Sequence, residues 1–451
     1  MKSLFTPLKA EGLTTLRINY NWKTDGVRLE AKKEWEPDTD FSRYNKDFVM
    51  QTILTEDGKM LNTKQVWELF EKYDLKDYLE SVIDLLRQGR HFGIEAYYYP
   101  EKDIKYMCNI HSYRRGIKNK QHPTLSGGIR RHSPEENEYE VIIDGLNLGR
   151  GSSFKAVVTG LPYGGCKSTA VMPPLDLSDM KVLGFLSFCI DRVYTHTGPD
   201  MNFPAEMADV INEHFSMQYT GGAKAILGPS GRPTAYGVYK TMKQAIKFLD
   251  GTDALAGKSY AVMGLGAVGW HLANHILDEE GTKLYITDIN PERGQEFIAS
   301  RPDKDITWVD LADIYDLEAD VLCPCAIGGI LDDETIPKLK YKMIWGAANN
   351  QLKASGQEEE YRLAKLLAER GILFQSEWWH NGAGLMLGTE EYMEGDNATY
   401  ERLLEKIDNR LPRMTFENLT EAKELGITPT ENAYRQVEKL IYEGEIWDYE
   451  I

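Results

Sequence analysis

Alternating apolar and polar residues mark the beginning of the chain. Residues 16–22 and 27–31 both alternate, and Asp25-Gly26 lies between them. This pattern predicts a two-stranded hairpin. In residues 64–90, apolar residues recur at spacings of three and four, which is typical of helix with one buried face.

A strand–turn–helix–strand pattern in the second half of the chain gives the strongest structural prediction. Residues 259–263 form an apolar run, a glycine motif follows at 264–269, and residues 270–279 have helical spacing. A second apolar run occupies residues 283–287. Later apolar runs alternate with helical stretches in the same way, at 321–322 and 343–345. Strands that alternate with helices predict a parallel sheet.

The glycine motif has the spacing G-x-G-x-x-G, which in this setting is typical of dinucleotide binding. Gly264 would permit a tight turn, Gly266 the approach of a pyrophosphate, and Gly269 the packing of helix on strand. Asp288 follows Gly269 by 19 residues and would accept hydrogen bonds from the adenosine ribose while repelling a 2′-phosphate. We therefore predict an NAD site, with Arg293 as a neighbour that weakens the preference over NADP.

Composition and charge exclude several classes of protein. The 451 residues are 42% hydrophobic and 27% charged, which is ordinary for a globular chain. A net charge of −18 repels phosphate backbones, so we expect no nucleic-acid partner. No apolar run reaches the ~18 residues of a membrane span, and no signal peptide is recognisable. We expect a cytoplasmic protein with no membrane partner.

Candidate chemistry outside the glycine motif begins with two lysines, Lys155 and Lys167. A lysine beside a tight glycine turn is unusual, although a surface position is the favoured interpretation of each lysine taken alone. The five cysteines are expected to be reduced thiols. His271 and His275 lie one helical turn apart but lack a third ligand, so no metal site is predicted.

Several ordered segments resemble the glutamate/leucine/phenylalanine/valine dehydrogenase superfamily. The resemblance extends over roughly residues 90–390, and its segments are 127–130, 155–167, 198–202, 233–238, 264–269, 324–337 and 346–352. It implies an α/β fold with a deep cleft between two domains. One is a substrate-binding and oligomerisation domain with a mixed sheet, and the other is a Rossmann domain.

The resemblance also suggests how the chain is divided. Residues 1–65 form an N-terminal extension, 66–230 the substrate-binding domain and 231–390 the Rossmann domain. Residues 391–451 supply helices that return to the first domain. A homo-oligomer is expected, and we favour an oligomer contact for the extension over a flap above the cleft, because edge strands pair readily.

The activity implied by the resemblance is that of an L-amino acid dehydrogenase, which interconverts an L-amino acid and its 2-oxo acid plus ammonia with NAD. By position, Lys155 resembles the lysine that pairs with the substrate carboxylate. Lys167 resembles the catalytic lysine and Asp200 the catalytic acid/base. Thr234 resembles a residue that binds the nicotinamide amide, and Asn350 one that bridges cofactor and substrate.

The same resemblance supplies the remaining candidate site residues. On the substrate side they are Ser126, Gly127, Gly128, Leu385 and Gly388. On the cofactor side they are Gly264, Gly266, Ala267, Val268, Gly269, Asp288, Cys325 and Ala326.

Two departures from the family pattern bear on the substrate. Glutamate-specific members carry a lysine where this chain has Ser126, and leucine-type members carry an apolar residue there. Gly388 stands near a position usually filled by a small branched residue, and losing that side chain opens volume. Ser126 argues against glutamate but fits neither pattern, whereas Gly388 favours a substrate with a bulky or aromatic side chain. We therefore expect an apolar or aromatic substrate.

Two other functions stay open at this stage. One is a biosynthetic variant that uses another amine or oxo acid in the same site. The other is a non-catalytic NAD-binding sensor or assembly subunit. Retention of Lys155, Lys167 and Asp200 together argues against the sensor, which has no need of them.

Overall fold

A computed structural model describes residues 2–44, 53–55, 58–113, 125–215 and 220–443. Its helices are α1 (Phe5–Glu11), α2 (Thr63–Lys72), α3 (Lys76–Gly89), α4 (Glu138–Thr159), α5 (Met180–Arg192), α6 (Glu206–His214), α7 (Gly231–Asp250), α8 (Gly269–Leu277), α9 (Pro291–Ser300), α10 (Gln357–Glu369), α11 (Ala383–Glu394), α12 (Tyr400–Leu425) and α13 (Pro429–Tyr442). Its strands are β1 (Thr15–Asn21), β2 (Gly26–Lys32), β3 (Met60–Leu61), β4 (Gly93–Tyr99), β5 (Ile104–Ser112), β6 (Leu125–Ser126), β7 (Ile129–His132), β8 (Gly164–Val171), β9 (Thr195–His196), β10 (Ser259–Met263), β11 (Lys283–Thr287), β12 (Ile306–Trp308), β13 (Val321–Pro324), β14 (Met343–Ile344) and β15 (Leu373–Phe374).

The first sheet is mixed, as predicted. Its order is β3-β2-β1-β4-β5-β8-β6-β9, with β7 beside β8. The neighbouring strands β3, β2, β1, β4, β5 and β8 pair antiparallel in that spatial order. Strands β6 and β7 run parallel to β8. Apolar side chains of α1 to α4 pack on one face, and those of α5 and α6 pack on the other. Both faces are therefore covered, which is why strand β8 is buried along its whole length.

The predicted N-terminal hairpin is confirmed, because β1 pairs with β2 in antiparallel register from Thr15 opposite Lys32 to Asn21 opposite Gly26. Strand β1 also pairs with β4, and Ile18 in its centre is fully buried. The first 65 residues therefore contribute strands to the interior of the first sheet and share its apolar core.

The helical prediction for residues 64–90 is confirmed. The segment forms two helices, because Asp74 between them has a left-handed φ of 57°. Helix α4 begins at Glu138, and the side chain of Asn137 caps it by accepting from Tyr139 N.

The second sheet is parallel throughout the described strands, with the order β12-β11-β10-β13-β14-β15. Counted along the chain, this is the 3-2-1-4-5-6 order of the doubly wound dinucleotide-binding fold. The predicted Rossmann architecture is therefore confirmed. In such sheets ligands bind beyond the carboxyl ends of the strands where the order reverses, which here is between β10 and β13.

The last helices connect the two sheets. An apolar cluster joins α4, which covers the first sheet, to α11, α12 and α13. Arg410 of α12 donates hydrogen bonds to the carbonyl groups of Val157 and Val158 at the end of α4, while Tyr236 of α7 donates to Asp408 at 2.9 Å. None of the helices within the described ranges is both long and apolar enough to cross a membrane.

The packing of β1 predicts that the N-terminal segment is needed for stability. Replacement of the buried Ile18 by alanine should lower the free energy of unfolding by about 2–5 kcal/mol, because it leaves a cavity in the apolar core between the sheet and its helices. Denaturant titration followed by circular dichroism measures this change. Arg28→Ala on the exposed side of β2 is the control and should change stability by less than about 0.5 kcal/mol. An equally small effect of Ile18→Ala would show that the hairpin is not part of the folding unit.

Candidate active site

A cleft of about 360 Å³ separates the two sheets, beyond the carboxyl end of β10. The structure places most of the predicted substrate and catalytic residues on its walls, together with Thr234 and Val268 of the predicted cofactor residues. Those residues are Ser126, Gly127, Gly128, Lys155, Lys167, Asp200, Thr234, Val268, Leu385 and Gly388. They come from both halves of the chain, so the cleft exists only when the two sheets are assembled.

Lys167 and Asp200 form an ion pair on the floor of the cleft. Lys167 belongs to β8 and is 5% exposed. A Cβ atom at Gly128 would lie 3.2 Å from Lys167 Nζ and 3.3 Å from Asp200 Cβ. A side chain at residue 128 would therefore crowd the pair, and glycine there keeps the floor open.

Arg130 and Asp144 surround this ion pair and were not predicted from the sequence. Arg130 Nη1 contacts both carboxylate oxygens of Asp144, at 3.0 and 2.9 Å, and Arg130 Nη2 lies 3.6 Å from Asp200 Oδ2. Burial holds the pKa of Lys167 well below its usual value, and the positive charge of Arg130 lowers it further. A lysine in this state gives up its proton more readily than a lysine in water does. Arg130 directly follows Gly128-Ile129 in the sequence, and this adjacency is the feature that could have identified it as a site residue.

Lys155 projects from α4 into the opposite side of the cleft. Its Nζ donates a 2.7 Å hydrogen bond to Asn349 Oδ1, which also accepts from Asn381 Nδ2 at 3.0 Å. Desolvation lowers the pKa of Lys155 to about 8. Asn349 and Asn381 both line the cleft and were missed as site residues.

Asn350, which was predicted to bridge cofactor and substrate, is not among the residues that line the cleft. It lines a separate cavity of about 30 Å³ behind the cleft wall. Its N–H donates to Glu377 Oε1 at 2.7 Å, and its φ is 52°. This left-handed conformation decides which of two adjacent asparagines faces the cleft, and the sequence motif does not reveal it. Asn349, and not Asn350, therefore lines the cleft.

The predicted dinucleotide turn has the geometry that its glycines require. Gly264 has a φ of 97°, a conformation that residues with a Cβ rarely adopt. A Cβ at Gly269 would lie 1.8 Å from Gly264 O, whereas a Cβ at Gly266 would meet no atom within 4 Å. Helix α8 therefore packs tightly on the turn, and space remains beside Gly266 that a Cβ would partly fill. Ala326 lies against Gly264, and Cys325 lies against Gly269.

Asp288 stands at the end of β11 beside this turn. Its Oδ2 accepts from Leu265 N at 2.6 Å, and its Oδ1 accepts from Asn290 N at 2.9 Å. Arg293 donates to Leu265 O, so a cation lies near the same turn. Ala267 is exposed on the surface of the turn. The turn, the open space and the fixed carboxylate together fit a dinucleotide.

The end of the cleft beyond Gly127 is built from Ser126, His196, Thr220 and Gly388. Ser126 and His196 are register partners of parallel strands. A Cβ at Gly388 would lie 2.8 Å from Thr220 Oγ1 and 3.3 Å from His196 Cε1. The volume that Gly388 was expected to open is therefore occupied by these two side chains. Burial lowers the pKa of His196 to about 4, so the ring is neutral at physiological pH.

Comparison with known families and sequences agrees with this architecture. Residues 96–223 match the model described as the Glu/Leu/Phe/Val dehydrogenase dimerisation domain, and residues 228–442 match the glutamate/leucine/phenylalanine/valine dehydrogenase model. The chain is 38% identical over 356 residues to leucine dehydrogenase of Thermoactinomyces intermedius, an alignment that covers 76% of this chain and 85% of that protein. It is 35% identical over 356 residues to phenylalanine dehydrogenase of Lysinibacillus sphaericus, with 77% and 87% covered.

Comparison with solved structures finds the same fold. L-tryptophan dehydrogenase from Nostoc punctiforme aligns with a TM-score of 0.63 and 26% identity, covering 80% of this chain and 98% of that chain. Hetero-hexameric glutamate dehydrogenase from Thermus thermophilus aligns with a TM-score of 0.58 at 21% identity, covering 75% and 83%, which is a likeness of fold alone. The two-sheet architecture, the two family models and the identity to the curated relatives lead to one conclusion. This chain belongs to the glutamate/leucine/phenylalanine/valine dehydrogenase family of amino acid dehydrogenases.

Proposed function

We propose that the protein catalyses the reversible, NAD-dependent oxidative deamination of an apolar or aromatic L-amino acid to its 2-oxo acid and ammonia. The observation that carries this proposal is the buried Lys167–Asp200 pair in a cleft that also contains Lys155. The relatives named leucine and phenylalanine dehydrogenase support the substrate class.

The cofactor would be held by the turn at Gly264–Gly269, by Asp288 and by Thr234, with Cys325 and Ala326 beside it. Asn349 is available to bridge cofactor and substrate in place of Asn350. When bound, the nicotinamide ring accepts a hydride from the substrate Cα. Asp288 supports NAD over NADP, because a 2′-phosphate near its carboxylate would be repelled.

Lys155, Asp200 and Lys167 have separate roles in the reaction. Lys155, when protonated, pairs with the substrate carboxylate and fixes the orientation of the amino acid. Asp200 accepts a proton from the substrate ammonium, and water then attacks the iminium carbon. Lys167 has a lowered pKa, so its neutral form takes up a proton from this water as the C–O bond forms, and its positive form stabilises developing charge on oxygen. Lys167 later returns the proton to the amine nitrogen. The hydroxyl proton then leaves to solvent as the C–N bond breaks, which releases ammonia and the 2-oxo acid.

The side-chain end of the cleft supports an uncharged substrate. Its described lining includes Ser126, His196, Thr220, Leu385 and Gly388, and His196 is neutral because burial lowers its pKa to about 4. A side-chain carboxylate placed there would be buried without a cationic partner, which is costly. Glutamate is therefore disfavoured.

We further propose that the protein is a homo-oligomer. The match of residues 96–223 to a dimerisation domain supports this assembly. Lys155, Lys167 and Asp200 all line the cleft, which argues against a non-catalytic sensor, since a sensor has no need of them.

The first prediction concerns the catalytic pair. Lys167→Ala and Asp200→Asn should each lower kcat by about 10²–10⁴-fold, because a positioned acid/base contributes that much. Lys155→Ala should chiefly raise KM. NAD affinity should change little in all three variants, since none of these residues belongs to the dinucleotide turn. Single-turnover hydride transfer at saturating NAD, followed by NADH absorbance, measures the effect. A rate for Lys167→Ala close to that of the native protein would remove the basis of the proposal.

The second prediction concerns cofactor choice. The native protein should have a higher kcat/KM with NAD than with NADP, and Asp288→Ala should reduce that ratio by at least about tenfold, because it removes both ribose hydrogen bonds and charge repulsion. Initial rates with each cofactor give the ratio. Asp303→Ala, an exposed carboxylate in the same domain, is the matched control. Equal efficiency with both cofactors in the native protein would contradict the role given to Asp288.

The third prediction concerns the side-chain end of the cleft. Gly388→Ala should push Thr220 and His196 towards the substrate, because the new Cβ would lie 2.8 and 3.3 Å from their atoms. Such overpacking costs roughly 1–3 kcal/mol and should lower kcat/KM for phenylalanine and tryptophan more than for alanine. Gly151→Ala, where a Cβ meets no atom within 4 Å, is the control. Equal losses for small and large substrates would place Gly388 outside the substrate pocket.

A further inference from the structure

Glu377 is a buried carboxylate that the reaction scheme above does not use. It begins the short 3₁₀ turn Glu377–Trp379 between β15 and α11 and is 4% exposed. Within the described part of the chain its carboxylate makes no direct ion pair, and its Oε1 accepts one 2.7 Å hydrogen bond from Asn350 N. A buried carboxylate without a close counter-ion is costly, so its retention needs a physical reason.

Glu377 and Lys155 bind the adjacent residues Asn350 and Asn349, and their charges interact. The negative charge of Glu377 raises the pKa of Lys155, while burial lowers it to about 8. In the reverse direction, burial raises the pKa of Glu377, whereas the N–H of Asn350 and the charge of Lys155 lower it. The two groups therefore stabilise each other's charged form without touching.

The same two residues hold one short segment from its two sides. Lys155 Nζ donates to the side chain of Asn349 at 2.7 Å, and Glu377 accepts from the backbone of Asn350 at 2.7 Å. Asn350 has the left-handed φ of 52°, a conformation that must be held in place in a residue with a Cβ. The position of the Asn349 side chain in the cleft thus depends on both charged residues.

The other charged groups nearby do not replace Glu377. Arg130 faces Lys155 from β7 and lowers its pKa, and the pKa of Lys167 on β8 is itself lowered by the charge of Lys155. His380 is neutral, because burial lowers its pKa to about 3. On the far side, Glu360 of α10 is already paired with Arg150 at 2.7 Å.

We propose that Glu377 is a positioning residue whose buried carboxylate holds the Asn349-Asn350 segment that Lys155 contacts and supplies the negative charge that accompanies this lysine, so that Lys155 can bind the carboxylate of the substrate. This inference rests on the proposed function, in which Lys155 binds that carboxylate. Glu377 acts through Lys155 and does not contact the substrate.

The direction of the pH effect follows from the charges. Loss of the negative charge at residue 377 lets Lys155 lose its proton at a lower pH. A neutral lysine no longer pairs with a carboxylate, so substrate binding should fail at a lower pH than in the native protein. The loss should appear in KM before it appears in kcat, because hydride transfer within the bound complex does not involve Glu377.

Glu377→Gln is the most specific variant, because it removes the negative charge while the side-chain oxygen of glutamine can still accept from Asn350 N. The alkaline limb of the kcat/KM profile should move to lower pH by about 1 unit, the low end of the effect of a nearby opposite charge. At the high-pH end of that limb, KM should rise roughly tenfold, whereas kcat should change by less than about twofold. Glu138→Gln is the matched control, since Glu138 is also buried and accepts from a backbone N–H, that of Leu4 at 2.6 Å. Its profile should coincide with that of the native protein.

A stability measurement tests the same coupling without substrate. Lys155→Met leaves Glu377 buried with no counter-charge and should lower Tm, and adding Glu377→Gln to that variant should recover part of the loss, because a mutually compensating pair is removed together. An unmoved alkaline limb in Glu377→Gln, or a double variant no more stable than Lys155→Met, would overturn the inference. If the native protein oxidised no amino acid while the stability coupling persisted, the proposed function would fail and the charge pairing would stand.

Discussion

The burial of three cationic side chains around one cleft is the constraint on which the rest of the site depends. Desolvation lowers the pKa of Lys155 and of Lys167, and the positive charge of Arg130 lowers both further. Their positive charges persist inside the protein only because carboxylates accompany them. Asp200 pairs with Lys167 and Asp144 holds Arg130, while the negative charge of Glu377 raises the pKa of Lys155. The net result is that both lysines release a proton more readily than a lysine in water does.

Helix α4 is the element that makes this arrangement possible. It carries Asp144 near its beginning and Lys155 about three turns later, so one rigid helix supplies charges to two sides of the cleft. Two of its glycines lie against β5: a Cβ at Gly145 would meet Asn109 Nδ2 at 2.2 Å, and a Cβ at Gly149 would meet Asn109 O at 2.7 Å. The same helix packs on α11–α13. Any shift of α4 would therefore disturb the cleft from both domains.

The N-terminal segment extends the sheet that supports these groups. The family models begin to match at residue 96, within β4, whereas β1 pairs along β4 and β2 along β1. An unpaired β4 would present a free edge, which invites unwanted pairing. The hairpin covers that edge and buries Ile18 and Leu16 in the core shared with α3 and α4. The hairpin therefore helps to keep the sheet that carries Lys167 rigid.

The sequence by itself determined the elements with strong local signals: the hairpin around Asp25-Gly26, the parallel sheet and the glycine turn before α8. These depend on periodicity and on backbone conformations that few residues adopt. The motif resemblance added Lys155, Lys167 and Asp200, and the cleft brings these three together. Only the tertiary structure decided that Asn349 faces the cleft instead of Asn350, and that Thr220 and His196 fill the space at Gly388. The positions of Arg130, Asp144 and Glu377 near the lysines were also decided only by the tertiary structure. Charged neighbours that come from separate elements produce no periodic pattern in the sequence from which they could be predicted.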